Sequence, residues 1–481
     1  MDNQKGTATK YNNAKLWQIG FFSLNNCATN IAMFLMMQYS YYTQNVLGLA
    51  AAIIGIIATG TRIFDAITDP LVGFLVDRTD GKFGKFRPYM LVGNVIIWAS
   101  LIVIFNTPVA WGISKKYLFT TVFYIIYIVG YTCQTVVTKA GQAVLTNNPK
   151  QRPIFAGFDS VMTQMASALV PMLITTILAE KYSVGAFVGE NGKGLGMINP
   201  AMWKEAVLIL AAISFIFTIL AIIGISEKDH TEYFGQAGSQ PKLKFSDYKD
   251  IVMHNRPIQM LIISAATDKL GQLLMSGTMT YLFANILLNS KLQGVFSSLL
   301  IVPLVAISIG GVFVSRKFGL KRTFLVGTWG SMIMLAIMFV IRPNPEMPAI
   351  FLGMYLVQKC LASMGNSGII PMIADCTDYE TYRSGRFVPG MMGTMFSFID
   401  KIISSFSALI QGFALTLAGV GNVIIKPNEP VNGTFNMAIM ICFCIVPILG
   451  HVASIVAMRW YNLDRDKMDE IQQELDQRKH A

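Results

Sequence analysis

The chain alternates between long apolar stretches and short polar ones. Twelve apolar runs stand out, at 18–42, 47–75, 89–108, 116–146, 154–180, 203–226, 257–288, 292–314, 323–342, 348–374, 391–420 and 434–460. Each is roughly 20 residues or longer, the length a helix needs to cross a ~30 Å hydrocarbon core. No water satisfies peptide groups inside a bilayer, so such runs must be helical, and the residue-by-residue alternation of a membrane barrel is absent. The pattern predicts an all-α integral membrane protein with twelve transmembrane helices.

The longest polar connection, SEKDHTEYFGQAGSQPKLKFSDYKDIVMHNRP, separates two groups of six runs. This predicts a bundle over 1–226, a connecting loop over 227–256, a second bundle over 257–461 and a tail over 462–481. The groups share a feature. GKFGKFRPYMLVG follows the second run and RKFGLKRTFLVG follows the eighth. Internal duplication marks transporters built from repeats, with a substrate site between them near the midplane. Chance likeness of two short basic loops is the plainer alternative.

Composition agrees with a membrane protein. Only 14% of residues are charged and the mean hydropathy is +0.51, against about a quarter charged in soluble domains. The net charge is +11. Placing the N-terminus inside puts most Lys and Arg into cytoplasmic loops and tails, which predicts a multi-pass plasma-membrane protein with both termini cytoplasmic. The basic residues are scattered over short loops, so they suit a membrane surface and not nucleic acid. The polar N-terminal stretch does not read as a signal peptide. The six cysteines fall in or beside the apolar runs and read as small packing residues, not as disulfides or metal ligands. There is no phosphate-binding loop, zinc spacing or nucleophile elbow. The expectation is a monomer that is no enzyme and holds no resident metal or cofactor.

The chemistry lies in charges inside the runs. The second run reads TRIFDAITDPLVGFLVDR and places Asp65 and Asp69 on one helix face, about 6 Å apart. Desolvation and mutual repulsion oppose two bare carboxylates there. One H⁺ or one Na⁺ would relieve the conflict. Arg62, on the same run, is the alternative neutraliser. Further runs carry Lys139, Lys269, Lys359 and Lys401, with Asp159, Asp268 and Asp400. Asp268–Lys269 and Asp400–Lys401 are chain neighbours, so they point about 100° apart and do not simply pair with each other. His451 is the one histidine inside a run and reads as a packed or hydrogen-bonded group.

FDAITDPLVGFLVDRTDGKFGKFRP resembles the second-span signature of the glycoside–pentoside–hexuronide:cation symporters, the melibiose-permease-like branch of the major facilitator superfamily. YSYYTQNVLGL, HNRP at 254–257, MIADCTDYETYRSGR and YNLDRDKMDEIQQELDQRK resemble further stretches of that family. The resemblance implies a major-facilitator fold, with twelve transmembrane helices in two six-helix bundles. It also implies alternating access and symport of a small sugar-like solute with H⁺ or Na⁺. It points to Asp65 and Asp69 as the cation site, with Thr68 and Thr132 beside them. Lys401 matches a family lysine. The sugar-binding acids of melibiose permease are replaced, near Cys27 or Ala28 and at Thr135.

The expected substrate groups are therefore Asn26, Asn30, Thr135, Lys139, Gln142, Lys359 and Lys401, with Tyr39, Tyr131, Trp329 and Tyr355 as stacking candidates. Two readings of the lysines stay open. They form a positive cavity for an acidic sugar such as a hexuronide, glucuronide or sulfonated sugar, or they make interhelical ion pairs. Arg62, Asp77, Arg78, Lys85 and Arg87 on one side, and Asp375, Asp378, Glu380 and Arg386 on the other, form an expected cytoplasmic gate. A lysolipid transporter and a non-transporting sugar sensor are the alternative functions. The polar face around Asn26 and Thr135 opposes the first and the paired carboxylates oppose the second.

Overall fold

A computed structural model describes residues 13–79, 81–146, 151–190, 192–230, 254–385 and 389–480. Among the described residues, twelve main helices follow one another. They are α1 (Leu16–Met37, continued by Tyr39–Asn45), α2 (Ala51–Arg78), α3 (Arg87–Phe105), α4 (Ile113–Leu145), α5 (Arg152–Pro171) and α6 (Pro200–Ser226), then α7 (Arg256–Tyr281), α8 (Ile301–Phe318, preceded by Lys291–Leu299), α9 (Leu320–Ile341), α10 (Pro348–Asn366), α11 (Pro389–Leu417) and α12 (Gly433–Met440, resuming at Val446–Met458). A short helix α13 (Arg465–His480) closes the chain.

Ten of these helical segments are long and apolar enough to cross a membrane. The seventh and tenth expected spans are helices too, but charged and polar residues, Asp268, Lys269 and Lys359 among them, lower their apolarity. The tenth expected run is also not one helix. It breaks at Ser367–Gly368 and resumes as Ile369–Ser384.

Local sequence explains the starts. Proline opens α3, α5, α6, α7 and α10, where its missing N–H costs nothing. Asn199, Asn255 and Asn432 each cap a helix by accepting a backbone N–H through the side chain. Wide π turns at Met172–Leu178 and Ile441–Ile445 lie next to Pro171 and Pro447, residues that disturb the regular ladder.

The packing repeats. In the first six helices, α1 packs on α5 and α6, α3 on α4 and α6, and α2 on α4. Adding six to each number gives the neighbours in the second set: α7 with α11 and α12, α9 with α10 and α12, and α8 with α10. The two sets meet along α2–α11 and α5–α8.

One end of that interface is sealed. Gln44 Nε2 donates to Val420 O at 2.8 Å, Ala51 N donates to Gly421 O at 2.8 Å, and Ile425 N donates to Asn45 Oδ1 at 2.7 Å. Thr176 Oγ1 donates to Lys291 O, and Lys291 pairs with Glu180. Below this layer α2 and α11 touch backbone to backbone. A Cβ at Gly55 would lie 2.6 Å from Ala408 O, and one at Gly412 would strike Ala51 O. Glycine is required there by close approach.

Candidate functional site

A cavity of about 370 Å³ lies between α1, α2, α4, α7 and α11. Both sets of helices contribute to its wall. Tyr39, Tyr124, Tyr127 and Tyr131 form a continuous aromatic strip along it, with successive ring centres 4.9, 5.9 and 5.8 Å apart. Tyr355 is fully buried against Phe296 and Phe443. Trp329 is 47% exposed and does not line the cavity.

Asp65 and Asp69 project from α2 toward α11. Lys401 Nζ lies 2.9 Å from Asp65 Oδ2 and 2.5 Å from Asp69 Oδ2. The other oxygen of Asp65 accepts a 3.0 Å hydrogen bond from Thr132 Oγ1, and Thr132 lies 3.2 Å from Thr68 Oγ1. Arg62 Nη1 stands 3.9 Å from Asp65. All four expected cation-site residues therefore meet in one cluster, and Arg62, expected both as a neutraliser and as a gate residue, stands beside them. Pro70 follows Asp69 inside α2 and cannot supply the N–H that the Ala66 carbonyl would otherwise accept. The cluster is thus rich in hard oxygens, but an ammonium already bridges its two carboxylates.

Beside it, the chain neighbours of α11 face different ways. Asp400 pairs with Lys269 of α7, whereas Lys401 turns to α2. The interhelical pairing of Lys401 and its place on the cavity wall coexist. Lys359 differs. Its ammonium stands over the Tyr355 ring at 5.4 Å, and among the described residues no carboxylate pairs with it. The exposed residues Ile350 and Val357 mark the outer face of α10. Lys359 is two positions past Val357, about 200° around the helix, and so lies on the inner face.

Three of the remaining expected substrate groups, Gln142, Asn26 and Asn30, gather around Asp159 of α5. Gln142 Nε2 donates to its carboxylate at 2.6 Å. Asn26 donates toward Thr163 and the Asp159 carbonyl, and Asn30 donates to Asn26 and Thr163. Thr135 lines the cavity and bonds to the Thr132 carbonyl. The side chain of Lys139 lies outside the described residues. The signal for Asp159 was its charge inside an apolar run.

The expected gate residues hold local partners. Arg78 covers the Phe74 ring. The backbone N–H groups of Lys85, Phe86 and Arg87 all donate to the fully buried carboxylate of Asp229, which also receives Arg87 Nε at 3.3 Å. Gly84 has φ +83°, and a Cβ there would strike Asp229. Glu380 accepts from Asn255 and Arg383, and Asp378 accepts from Gln472 of α13. Asp375 borders a separate cleft with Lys317, Lys321 and Arg322. Burial, and secondarily the charge of Asp378, pushes its carboxyl up to about 6. The side chain of Asp77 and all of Arg386 lie outside the described residues. Asp229, the hub of the 84–87 turn, was not anticipated, because nothing in ISEKDH distinguishes it from an ordinary loop acid.

A second buried pair lies in the last six helices. His451 Nδ1 is 2.8 Å from Asp268 Oδ1, and Ser454 and Thr328 donate to the other oxygen. This matches the reading of His451 as a hydrogen-bonded group.

Comparison with known proteins fits this arrangement. Residues 21–465 match the family described as MFS/sugar transport protein. The chain is 23% identical to a putative glycoside/cation symporter of Escherichia coli, covering 92% of this chain and 90% of the relative. It is 23% identical to the isoprimeverose transporter of Lactiplantibacillus pentosus, covering 92% and 88%. It is 24% identical to a glucuronide carrier protein homolog of Escherichia coli, covering 95% of each. Among solved structures, the nucleoside transporter NupG superposes with a TM-score of 0.61 at 11% identity, covering 93% of this chain and 100% of that one. That likeness concerns the fold. The match over nearly the whole chain makes this protein a member of the MFS/sugar transport family.

Proposed function

We propose that the chain carries a sugar or glycoside across the plasma membrane by alternating access, coupled to the inward movement of H⁺ or Na⁺. The relatives named as glycoside, isoprimeverose and glucuronide carriers support the substrate class. The observation that carries the coupling is Lys401 between Asp65 and Asp69. A coupling cation and this ammonium compete for the same two carboxylates. When the cation binds, Lys401 is released toward the cavity, where it can hydrogen-bond a substrate oxygen. Cation and substrate then favour each other's binding by the same factor. Both termini in the cytoplasm would make the sealed end extracellular, and the conformation would then be one closed to the outside.

The cavity wall of tyrosines, Asn26, Thr135 and serines suits a hydroxylated ring better than an acyl chain. A sensor would have no need for competing cations. Lys359 favours a further reading, in which the sugar bears an acidic group: an inward ammonium with no paired carboxylate among the described residues calls for an anion.

The test is thermal stabilisation of purified protein by neutral glycosides and by glucuronides, each in Na⁺ or choline at two pH values, followed by sugar counterflow in vesicles. Cation-dependent stabilisation with counterflow supports symport. Stabilisation without counterflow leaves a sensor. Glucuronide-selective stabilisation that disappears in Lys359→Ala supports the acidic substrate, and equal binding of neutral sugars by that variant removes it.

A further inference from the structure

Asp268 and His451 form a titratable pair that neither the cation cluster nor the central cavity uses. They join α7 to α12, and each side chain is 5% exposed. His451 Nδ1 lies 2.8 Å from Asp268 Oδ1, while Ser454 of α12 and Thr328 of α9 donate to Oδ2 at 3.3 and 3.5 Å. The internal repeat shows that charge is not needed to tie these helices together. LVGN at 91–94 on α3 corresponds to LVGT at 325–328 on α9, so Asn94 is the counterpart of Thr328. Asn94 Nδ2 donates to Ser214 Oγ of α6 at 2.9 Å, and Ser214 donates to the Ala28 carbonyl of α1 at 3.2 Å. The same three helix positions are thus joined by neutral groups in one set and by an acid and an imidazole in the other.

The charge of the pair turns on one proton. Imidazolium with carboxylate sums to zero, whereas neutral imidazole leaves a bare carboxylate in the membrane interior, which is costly. The neighbouring charges are engaged elsewhere. On α7, Lys269 pairs with Asp400 of α11 and Arg256 lies over the Trp460 ring. Lys401 of α11 belongs to the α2 carboxylates. On α9, Lys321 and Arg322 stand in the first turn, with Lys321 bonded to the Tyr461 carbonyl. Lys359 of α10 lies over Tyr355, and Glu380 of the following helix holds Arg383. The described residues of α12 include no charged side chain besides His451.

Beside the pair lies a cavity of about 10 Å³, room for one water-sized group, lined by Gln272, Thr328 and Asn366 with Asp268 and His451. Gly365 and Asn366 belong to the last turn of α10, whose carbonyl end favours a positive charge. Leu325, three residues before Thr328, lines the larger cleft beside α13, so roughly one turn of α9 separates that cleft from the pair. Na⁺ suits the site less well than a proton, because imidazole nitrogen is a poor partner for a hard cation and both oxygens of Asp268 already accept hydrogen bonds. Lys269, next to Asp268, lines the central cavity with Leu273 and Gly277. Successive helix residues differ by about 100°, so α7 presents one face to the cavity and another to the pair.

We propose that Asp268 and His451 form an exchangeable proton site, distinct from the carboxylates of α2, whose occupancy biases the two access states through α7. The proposal rests on alternating access and is independent of which sugar is carried and which cation binds at α2.

The chain has four histidines, and His451 is the one inside a membrane helix. Histidine-selective ¹⁵N labelling of the full chain in lipid nanodiscs isolates it once a water-soluble paramagnetic reagent has broadened the other signals. Between about pH 4 and pH 9 its ring nitrogens should pass from the imidazolium to the neutral pattern. In Asp268→Asn the midpoint should move by about one pH unit or more toward acid, because the anion that favours imidazolium is gone. A His451 signal fixed in one protonation state throughout overturns the site. The wild-type spectrum needs no variant, so it decides this even where a substitution prevents folding. The second measurement labels a cysteine introduced at Val420, in the seal, in otherwise wild-type protein and in Asp268→Asn/His451→Gln, whose amides mimic the neutral, proton-loaded pair. The ratio of the two rates cancels the thiol's own response to pH. It should be near one at acid pH and depart by about threefold or more at alkaline pH. A constant ratio overturns the bias on access, while sugar counterflow by the same protein would leave the symport reading standing.

Discussion

The ammonium of Lys401 lies 2.5 Å from Asp69, a residue 332 positions earlier in the chain. It joins the two sets of helices at the level of the cavity and neutralises a conflict on α2. Removing it by Lys401→Met leaves two carboxylates without their resident cation, a loss on the order of 3–5 kcal/mol. Added Na⁺ or acid should restore the stability, so the melting temperature of the variant becomes strongly cation-dependent. A variant no more responsive to Na⁺ or pH than wild type would show that cation and lysine do not compete. Asp65→Asn should abolish cation-dependent uptake more completely than Asp69→Asn, because Asp65 also holds Thr132 and is fully buried.

Below the seal, α2 and α11 approach backbone to backbone at Gly412 and Ala51. Gly412→Val inserts side-chain atoms where there is no space, at a cost of roughly 1–3 kcal/mol to the sealed state. Counterflow should fall by about tenfold or more, and labelling of a cysteine introduced at Val420 should rise. Unchanged labelling would mean that the seal does not form during transport.

Asp229 accepts three consecutive backbone N–H groups from the 84–87 turn. Asp229→Ala strands them and should cost about 3 kcal/mol or more. Protease cleavage between residues 79 and 87 should accelerate in that variant, and Asp229→Glu should recover part of the protection. Cleavage at the wild-type rate would assign the turn's order to other contacts.

Asp375 supplies a pH signature outside the spans. Its folded carboxyl is pushed up to about 6, against roughly 3.9 in an unfolded chain. Between those values the folded state holds the extra proton, so stability falls as pH rises through the window. Melting temperatures measured from about pH 4 to pH 7 should show this slope in wild type and a flatter one in Asp375→Asn. Identical slopes would place the titration elsewhere.

Much of this architecture was readable from hydropathy, because bilayer thickness turns apolar run length into helix count. The Asp65/Asp69 conflict was readable too, since a four-residue spacing sets one helix face. The partner of that face was not. Nothing local to Lys401 says that it reaches α2, and the same holds for Lys269 with Asp400 and His451 with Asp268. Spacing within one helix is a short-range signal, whereas these pairs depend on how separate helices pack. Asp159 was visible as a charge inside an apolar run, but its place beside Gln142 of α4 depends on packing in the same way.

The order of two adjacent letters on α11 carries weight that composition does not register. Asp400 faces Lys269 and Lys401 faces the two acids of α2. Writing the pair in reverse would keep the length, hydropathy and net charge of the protein unchanged. It would nonetheless set one carboxylate against two others and one ammonium against another. A one-residue deletion just before this pair would rotate both side chains by about 100° and break both matches at once. α11 is therefore keyed by its charges as a lock pin is keyed by its cuts, and its register is as strictly specified as its sequence.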